Sequence, residues 1–160
     1  MSKVLTKQKR ESLADWLIVG GSVALLGSLF LTWSHQFSSS FLNTFGTSEL
    51  FDGVPRNATA WQVYSTMDIV LALLAVGMLA SALFGTRPWR VGVSMGAVVA
   101  LAFTLHAQSA PPTNGANIFN PSLSVPSYQS PGSTAGAGET VAVIGLLVAI
   151  IGFLLSFSAD

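Results

Sequence analysis

Residues 61–84, WQVYSTMDIVLALLAVGMLASALF, constrain the fold of this chain more than any other stretch. The stretch is apolar and long enough to cross a bilayer, because a helix rises about 1.5 Å per residue through hydrocarbon about 30 Å thick. It also contains one acid, Asp68. A continuous helix from Trp61 would place the Asp68 carboxyl roughly 10 Å inside the hydrocarbon. We therefore expect a membrane protein with an ionisable group inside a span.

Three more apolar runs extend this prediction to the whole chain. Only 9% of the residues are charged, against about 25% in a soluble domain. The predicted spans are residues 16–33, 61–84, 89–108 and 139–157. They predict an all-α membrane protein, an antiparallel four-helix transmembrane bundle that forms one domain over residues 1–160. Residues 34–60 and 109–138 are then two exported loops.

The positions of the basic residues predict the orientation. Six lie on the side of the termini and one, Arg56, lies in an exported loop, as the positive-inside bias requires. The six are Lys3, Lys7, Lys9, Arg10, Arg87 and Arg90. Both termini are therefore expected in the cytoplasm, with the protein in the plasma membrane. The first apolar run ends in LTWSHQF rather than in small residues, so we interpret it as a retained span and not as a cleaved signal.

Tryptophan positions support the same boundaries. All four tryptophans fall at predicted span ends, where an indole keeps its ring among acyl chains and its N–H among headgroups. They are Trp16, Trp33, Trp61 and Trp89. Between the spans, Phe37, Phe41 and Phe45 recur every four residues and predict a short amphipathic helix. The second loop is uncharged and rich in Pro, Gly and Ser, so we expect extended chain there, with a short edge strand in SLSVPSY.

Small residues predict where the helices touch, because close backbone approach and hydrogen bonds hold helices together in lipid. The third span repeats small residues every four positions, and the fourth span repeats them every three or four. The predicted contact positions are Gly92, Gly96 and Ala100 in the third span and Gly145, Ala149 and Gly152 in the fourth. The first span carries a weaker stripe of Gly20, Ala24 and Gly27.

Four polar residues form the candidate functional cluster: Asp68, His106, Glu139 and His35. An acid inside a span must be paired, protonated or solvated, so Asp68 is either a structural hydrogen-bonding group or a site for a proton, cation or substrate. All four residues fall near the exported side. They come from four separate segments with no paired spacing such as HxxxH, and no metal site is therefore predicted.

Several function classes receive no support from the sequence. The chain has no cysteine and a net charge of zero, which excludes disulfides and thiolate sites and gives no sign of nucleic-acid binding. There is no GxSxG or SxxK nucleophile motif, and there is no phosphate-binding glycine loop. We predict neither an enzyme nor a cofactor.

Three short motifs carry a resemblance: FLTW at residues 30–33, AW at residues 60–61, and Asp68 followed by IVLALLAV. With these motifs the chain resembles the small, mostly uncharacterised four-span membrane proteins of high-GC Gram-positive bacteria. The resemblance covers the first two spans and implies a bacterial plasma membrane, with no activity attached. The layout is also similar to claudin-type tetraspans, but their paired cysteines in the first loop are absent.

These observations favour a non-enzymatic integral membrane protein that acts through contacts, as an accessory subunit or a self-associating scaffold. Its expected partners are the lipid bilayer and either another membrane protein or further copies of the chain. The alternative is a small transporter or channel component that uses Asp68. A conduit needs polar groups through the whole membrane, and residues 69–80 offer none.

Overall fold

The computed structural model describes residues 2–35, 57–63, 66–109 and 134–159. This part of the chain is mostly helical. In chain order its elements are α1 (Ser2–Ser28), β1 (Thr32–His35), β2 (Asn57–Thr59), α2 (Ala60–Val63), α3 (Met67–Phe84), α4 (Arg87–Ser109), β3 (Thr134–Ala135) and α5 (Ala137–Ala159).

Among the described residues, three helices are long and apolar enough to cross a membrane. They are Met67–Phe84, Arg87–Ser109 and Ala137–Ser158. These correspond to the second, third and fourth predicted spans, and the last two differ from prediction by no more than two residues at each end. The fourth long helix, α1, is not in this set, and its first half carries six of the chain's fourteen charged residues.

The first predicted span, residues 16–33, is not helical as far as its predicted end. Helix α1 begins at Ser2 and ends at Ser28, and β1 follows after a turn. The Trp33 indole Nε1 donates a hydrogen bond to the main-chain oxygen of Ser28 over 2.7 Å. This bond holds the chain folded back over the end of the helix, so the aromatic residue at the predicted membrane boundary belongs to a strand.

The second predicted span, residues 61–84, is also not one helix. The short helix α2 follows β2 directly, and α3 begins only at Met67. The reason is tertiary pairing, because Thr59 lies opposite Thr32 in the sheet and the Trp61 ring centroid lies 6.0 Å from that of Phe30. The Asp68 carboxyl therefore lies in the first turn of α3, and the expected depth measured from Trp61 is wrong.

The four long helices contact one another in a ring, α1 with α5 and α3, and α4 with α5 and α3. The most extensive of these contacts joins α1 and α5. Gln108 near the end of α4 bonds Thr140 near the start of α5, while Arg90 near the start of α4 bonds Ser156 near the end of α5. This pairing of opposite ends makes α4 and α5 antiparallel.

Glycines bring α1 and α5 into backbone contact. A Cβ on Gly145 would lie 2.9 Å from the main-chain oxygen of Gly21, and one on Gly152 would lie 2.8 Å from that of Ala14. Ala149, between them on the same face, is fully buried. The two backbones are so close that a side chain would not fit between them at Gly145 or Gly152. Only small residues allow helices to approach this closely.

Other glycines of the predicted stripes lie elsewhere. A Cβ added at Gly92, Gly20 or Gly27 would meet no atom within 4 Å, and all three glycines are exposed. Gly96 meets only the Leu74 side chain, at 3.0 Å. At these three exposed positions the predicted stripes of the first and third spans make no helix contact within the chain. In α1 the contact glycine is Gly21, one residue from the predicted stripe.

The helices are apolar on the outside as well as the inside. Inner positions hold Leu71 and Met78 of α3 and Leu146 and Phe153 of α5, all at most 1% exposed. Large apolar side chains also cover the outside of α3, α4 and α5, where Val99 is 70% exposed. A helix that is apolar all round is suited to an apolar environment, either a bilayer or the core of a larger protein.

A small antiparallel sheet, in the order β2-β1-β3, lies beside the end of α1. In it, Ser34 is paired with Ala58 on one side and Ala135 on the other. None of these three strands was predicted from the sequence. The predicted Phe37–Phe41–Phe45 helix and the SLSVPSY strand lie outside the described residues.

Candidate functional site

Polar side chains are buried at both ends of the helix assembly. We call one end the sheet end, where α1 finishes, α3 and α5 begin, and the three strands lie. We call the other the termini end, where α3 finishes, α4 begins and the last turn of α5 lies. The two ends differ in chemistry.

Asp68 is buried at the sheet end. It is the second residue of α3 and lies on the same face as Leu71, Ala75 and Met78, which are all buried. Its exposed fraction is 0%. Neither carboxyl oxygen has a hydrogen-bond partner among the described residues. The side chain thus faces the interior without the compensation that a buried charge requires.

Glu139 repeats this arrangement on α5. It is the third residue of that helix and lies seven residues before Leu146 and fourteen before Phe153, so the three share the inner face. Its exposed fraction is also 0%, and both carboxyl oxygens again lack a partner in the described part of the chain. The preceding residue, Gly138, is in direct contact with the Trp33 indole.

The helix starts do not supply hydrogen bonds to these two acids. Each lies in the first turn of its helix, where the helix dipole favours a carboxylate, but neither carboxyl accepts a hydrogen bond from the N–H groups of that turn. On α4, the buried Thr104 hydroxyl donates to the Leu101 main-chain oxygen over 3.0 Å. The Ser34 hydroxyl, also fully buried, has no partner among the residues described.

The two histidines do not join the acids. Nδ1 of His35 lies 2.8 Å from the Asn57 side-chain oxygen, across the β1–β2 pair. His106 is exposed in the last turn of α4. No group of three or more His, Asp or Glu side chains within the described ranges could hold a metal ion. Of the predicted polar cluster of His35, Asp68, His106 and Glu139, only the two acids are fully buried.

The termini end is organised by Arg90, which the sequence analysis interpreted only as a cytoplasmic charge. Its guanidinium donates to the Asp15 carboxylate over 2.9 Å, to the Ser156 hydroxyl over 2.6 Å and to the Ser81 main-chain oxygen over 3.2 Å. Arg90 lies on α4, and its partners lie on α1, α5 and α3. One side chain thus bonds the other three long helices. The sequence does carry one sign of this contact, since Asp15 is an acid that directly precedes an apolar run.

No protein-family model, curated protein or solved structure matches this chain. The fold itself defines a class, a mostly helical protein with three helices able to cross a membrane.

Proposed function

We propose that the chain is an integral plasma-membrane protein whose four long helices all cross the bilayer as an antiparallel bundle, with both termini in the cytoplasm. Its function is to make contacts, as an accessory subunit or a self-associating scaffold, and it is not an enzyme. The basic residues near the termini support the orientation. The resemblance to small four-span proteins of high-GC Gram-positive bacteria supports a bacterial plasma membrane.

The observation that carries this proposal is the apolar middle of the helix assembly. Between Asp68 and Ser81, α3 has no polar side chain, and α5 has none between Thr140 and Ser156. The Ser22 hydroxyl in the middle of α1 bonds its own helix, at the Ile18 main-chain oxygen over 2.6 Å. The polar side chains of α3 and α5 lie at the two ends of the helix assembly, and its middle offers no polar site for a ligand. The outer surface is therefore the part of the molecule best suited to bind a partner.

Crosslinking in living cells tests this proposal. A photo-crosslinking amino acid is placed at the outward positions Leu73, Val99 and Leu154, one each on α3, α4 and α5, which are 66%, 70% and 62% exposed. Two epitope tags are co-expressed on separate copies. A contact protein gives a discrete product from one face, containing both tags for a scaffold or one tag and a second membrane protein for an accessory subunit. Lipid adducts alone from all three faces, at native expression level, contradict the proposal.

One observation favours the alternative, a small transporter or channel component: Asp68 is fully buried and has no partner among the described residues. A polar track would then have to form between copies of the chain. Purified protein in liposomes with an internal pH dye or cation dye tests this. Flux that Asp68→Asn abolishes, while the variant stays folded, would replace the contact function with transport.

A further inference from the structure

We propose that one side of α1 at the termini end binds the headgroups of anionic phospholipids. This side consists of the exposed residues Lys9, Arg10, Leu13 and Trp16, and we call it the headgroup face. The inference rests on the proposed crossing of α1 through the bilayer and adds the class of lipid that its end would bind. It needs no protein partner.

Helix α1 extends past the other long helices at this end. The Arg10 guanidinium donates to the Ser158 hydroxyl over 2.8 Å, which places Arg10 beside the last turn of α5. Arg90, near the start of α4, bonds Asp15 over 2.9 Å. From Arg10, α1 continues to Ser2, about 12 Å further at about 1.5 Å per residue. Within the described part of the chain, the bases of α1 therefore lie where the other helices end and beyond.

The headgroup face combines charge with apolar surface. Lys9, Leu13 and Trp16 follow one another at the spacing that puts residues on one side of a helix. Leu13 is 54% exposed and Trp16 is 72% exposed. The residues between them that face α5, Ala14 and Ile18, are fully buried. Along α1 a cation thus precedes an indole and the indole precedes apolar chain, which is also the order of phosphate, interface and acyl chain in a phospholipid.

The two cations of the headgroup face are not neutralised by the described part of the chain. Lys9 has no ion-pair partner there, and the described partner of Arg10 is the uncharged Ser158. The nearby acids of α1 are occupied by other bases, in the pairs Lys7–Glu11 and Arg90–Asp15. Two positive charges are therefore available to an anion, and basic residues next to a span attract anionic lipids.

The position of the bases favours a lipid over other anionic partners. The headgroup layer is about 5–7 Å thick on each side of the hydrocarbon, and Arg10 and Lys9 lie about 9 to 10 Å beyond Trp16 along the helix. Their long side chains can bring both charges back to the phosphates. A lipid acyl chain also covers the exposed Leu13 and Trp16, which an acidic protein would not require. A second copy presents the same bases and would repel the first.

Quenching by brominated lipids tests the proposal. The protein carries Trp61→Phe and Trp89→Phe, which leaves Trp16 exposed and Trp33 buried. It is reconstituted into vesicles of equal parts phosphatidylcholine and phosphatidylglycerol, with bromine on the acyl chains of one lipid or the other. Brominated phosphatidylglycerol should quench Trp16 more strongly, with a binding constant several-fold above that of phosphatidylcholine at low salt. High salt should reduce this preference, because it screens exposed charges.

Amide substitutions identify the residues responsible. Lys9→Gln and Arg10→Gln should each lower the preference, and the double variant should bring the ratio of binding constants to about one. Glu11→Gln is the matched control, because it makes a similar change in the same turn but removes an acid, and it should keep or raise the preference. None of the three side chains is buried, so the variants should melt at the temperature of the parent.

Equal quenching by the two brominated lipids at low salt overturns the proposal and leaves the bases free for an acidic protein. A preference that the double variant retains overturns it too. The vesicles contain no second protein, so either result leaves the contact function to the crosslinking experiment. Absence of quenching by both lipids would instead contradict the crossing of α1 and the headgroup face together. If the tryptophan variant does not fold, the parent with all four tryptophans gives the same comparison.

Discussion

At the scale of single residues, the partly buried Arg90 and the fully buried Asp68 show two opposite states of a charged side chain. The guanidinium of Arg90 has three partners on three helices. The Asp68 carboxyl has none among the described residues. A buried charge with good hydrogen bonds fixes the arrangement of its neighbours, whereas one without them depends on a proton or a ligand. Arg90 is therefore suited to holding the helices in place, and Asp68 is suited to binding a proton or a ligand.

Arg90→Lys should lower the melting temperature in detergent, because lysine cannot match the planar fork that reaches Asp15, Ser156 and Ser81 together. We expect a loss of about 2 kcal/mol, the size of one charged hydrogen bond. Arg10→Lys is the matched control, since Arg10 makes one exposed hydrogen bond, to Ser158 over 2.8 Å, and its loss should be near zero. Equal effects of the two substitutions would show that the Arg90 contacts add nothing.

At the scale of the helices, the backbone contact between α1 and α5 depends on which glycine faces the partner. Gly20 and Gly21 are adjacent and identical in sequence terms. A Cβ on Gly21 would lie 2.7 Å from the Ala149 main-chain nitrogen, while one on Gly20 would meet nothing within 4 Å. Which of the two glycines faces α5 depends on the rotation of α1 about its own axis. The local sequence does not show that rotation.

Gly21→Ala should therefore destabilise the protein, by about 1–3 kcal/mol for an overpacked contact. Gly20→Ala should be neutral or stabilising by up to about 1 kcal/mol, because alanine has the higher helix propensity. Chemical or thermal unfolding of both variants in the same detergent measures the difference. A Gly20→Ala variant at least as unstable as Gly21→Ala would show that α1 is rotated from this arrangement.

Gly152→Leu on α5 and Gly92→Leu on α4 compare a glycine in a helix contact with an exposed one. A Cβ on Gly152 would lie 2.8 Å from Ile18 Cγ1, and Gly92 has open space. We expect Gly152→Leu to lower the melting temperature markedly, and Gly92→Leu to have little effect on the outer face. Ile151→Leu, at a site 51% exposed, should also be mild. Identical melting temperatures for all three would refute the α1–α5 contact.

At the scale of the whole molecule, hydropathy was sufficient to predict α4 and α5 closely, because a membrane span is a local property of composition and length. It failed where long-range pairing decides the backbone. Trp33, predicted as the end of the first span, lies in β1. Because β1 pairs with β2, Trp61 lies in the short helix α2 and not in α3. Pairing between residues so distant in sequence leaves no periodic signal. The sequence predicted His35, Asp68, His106 and Glu139 as one polar cluster, and the structure buries the two acids, pairs His35 with Asn57 and leaves His106 exposed.

The central claim is that all four long helices cross the membrane with both termini on one side, and labelling of single cysteines tests it most directly. The chain has no native cysteine, so each introduced thiol is the only target. Ser12 of α1 and Thr86 between α3 and α4 lie toward the termini end, and Ser109 and Thr134 lie at the sheet end, all four exposed.

In intact cells, an impermeant maleimide should label cysteines at Ser109 and Thr134 and should not label those at Ser12 and Thr86, which should react only after the membrane is permeabilised. The position at Ser12 is the most informative, because it reports whether α1 crosses together with the three helices that are apolar enough to do so. Labelling at Ser12 together with Ser109 in intact cells would contradict a fourth span, and labelling at Ser12 and Thr86 alone would invert the orientation.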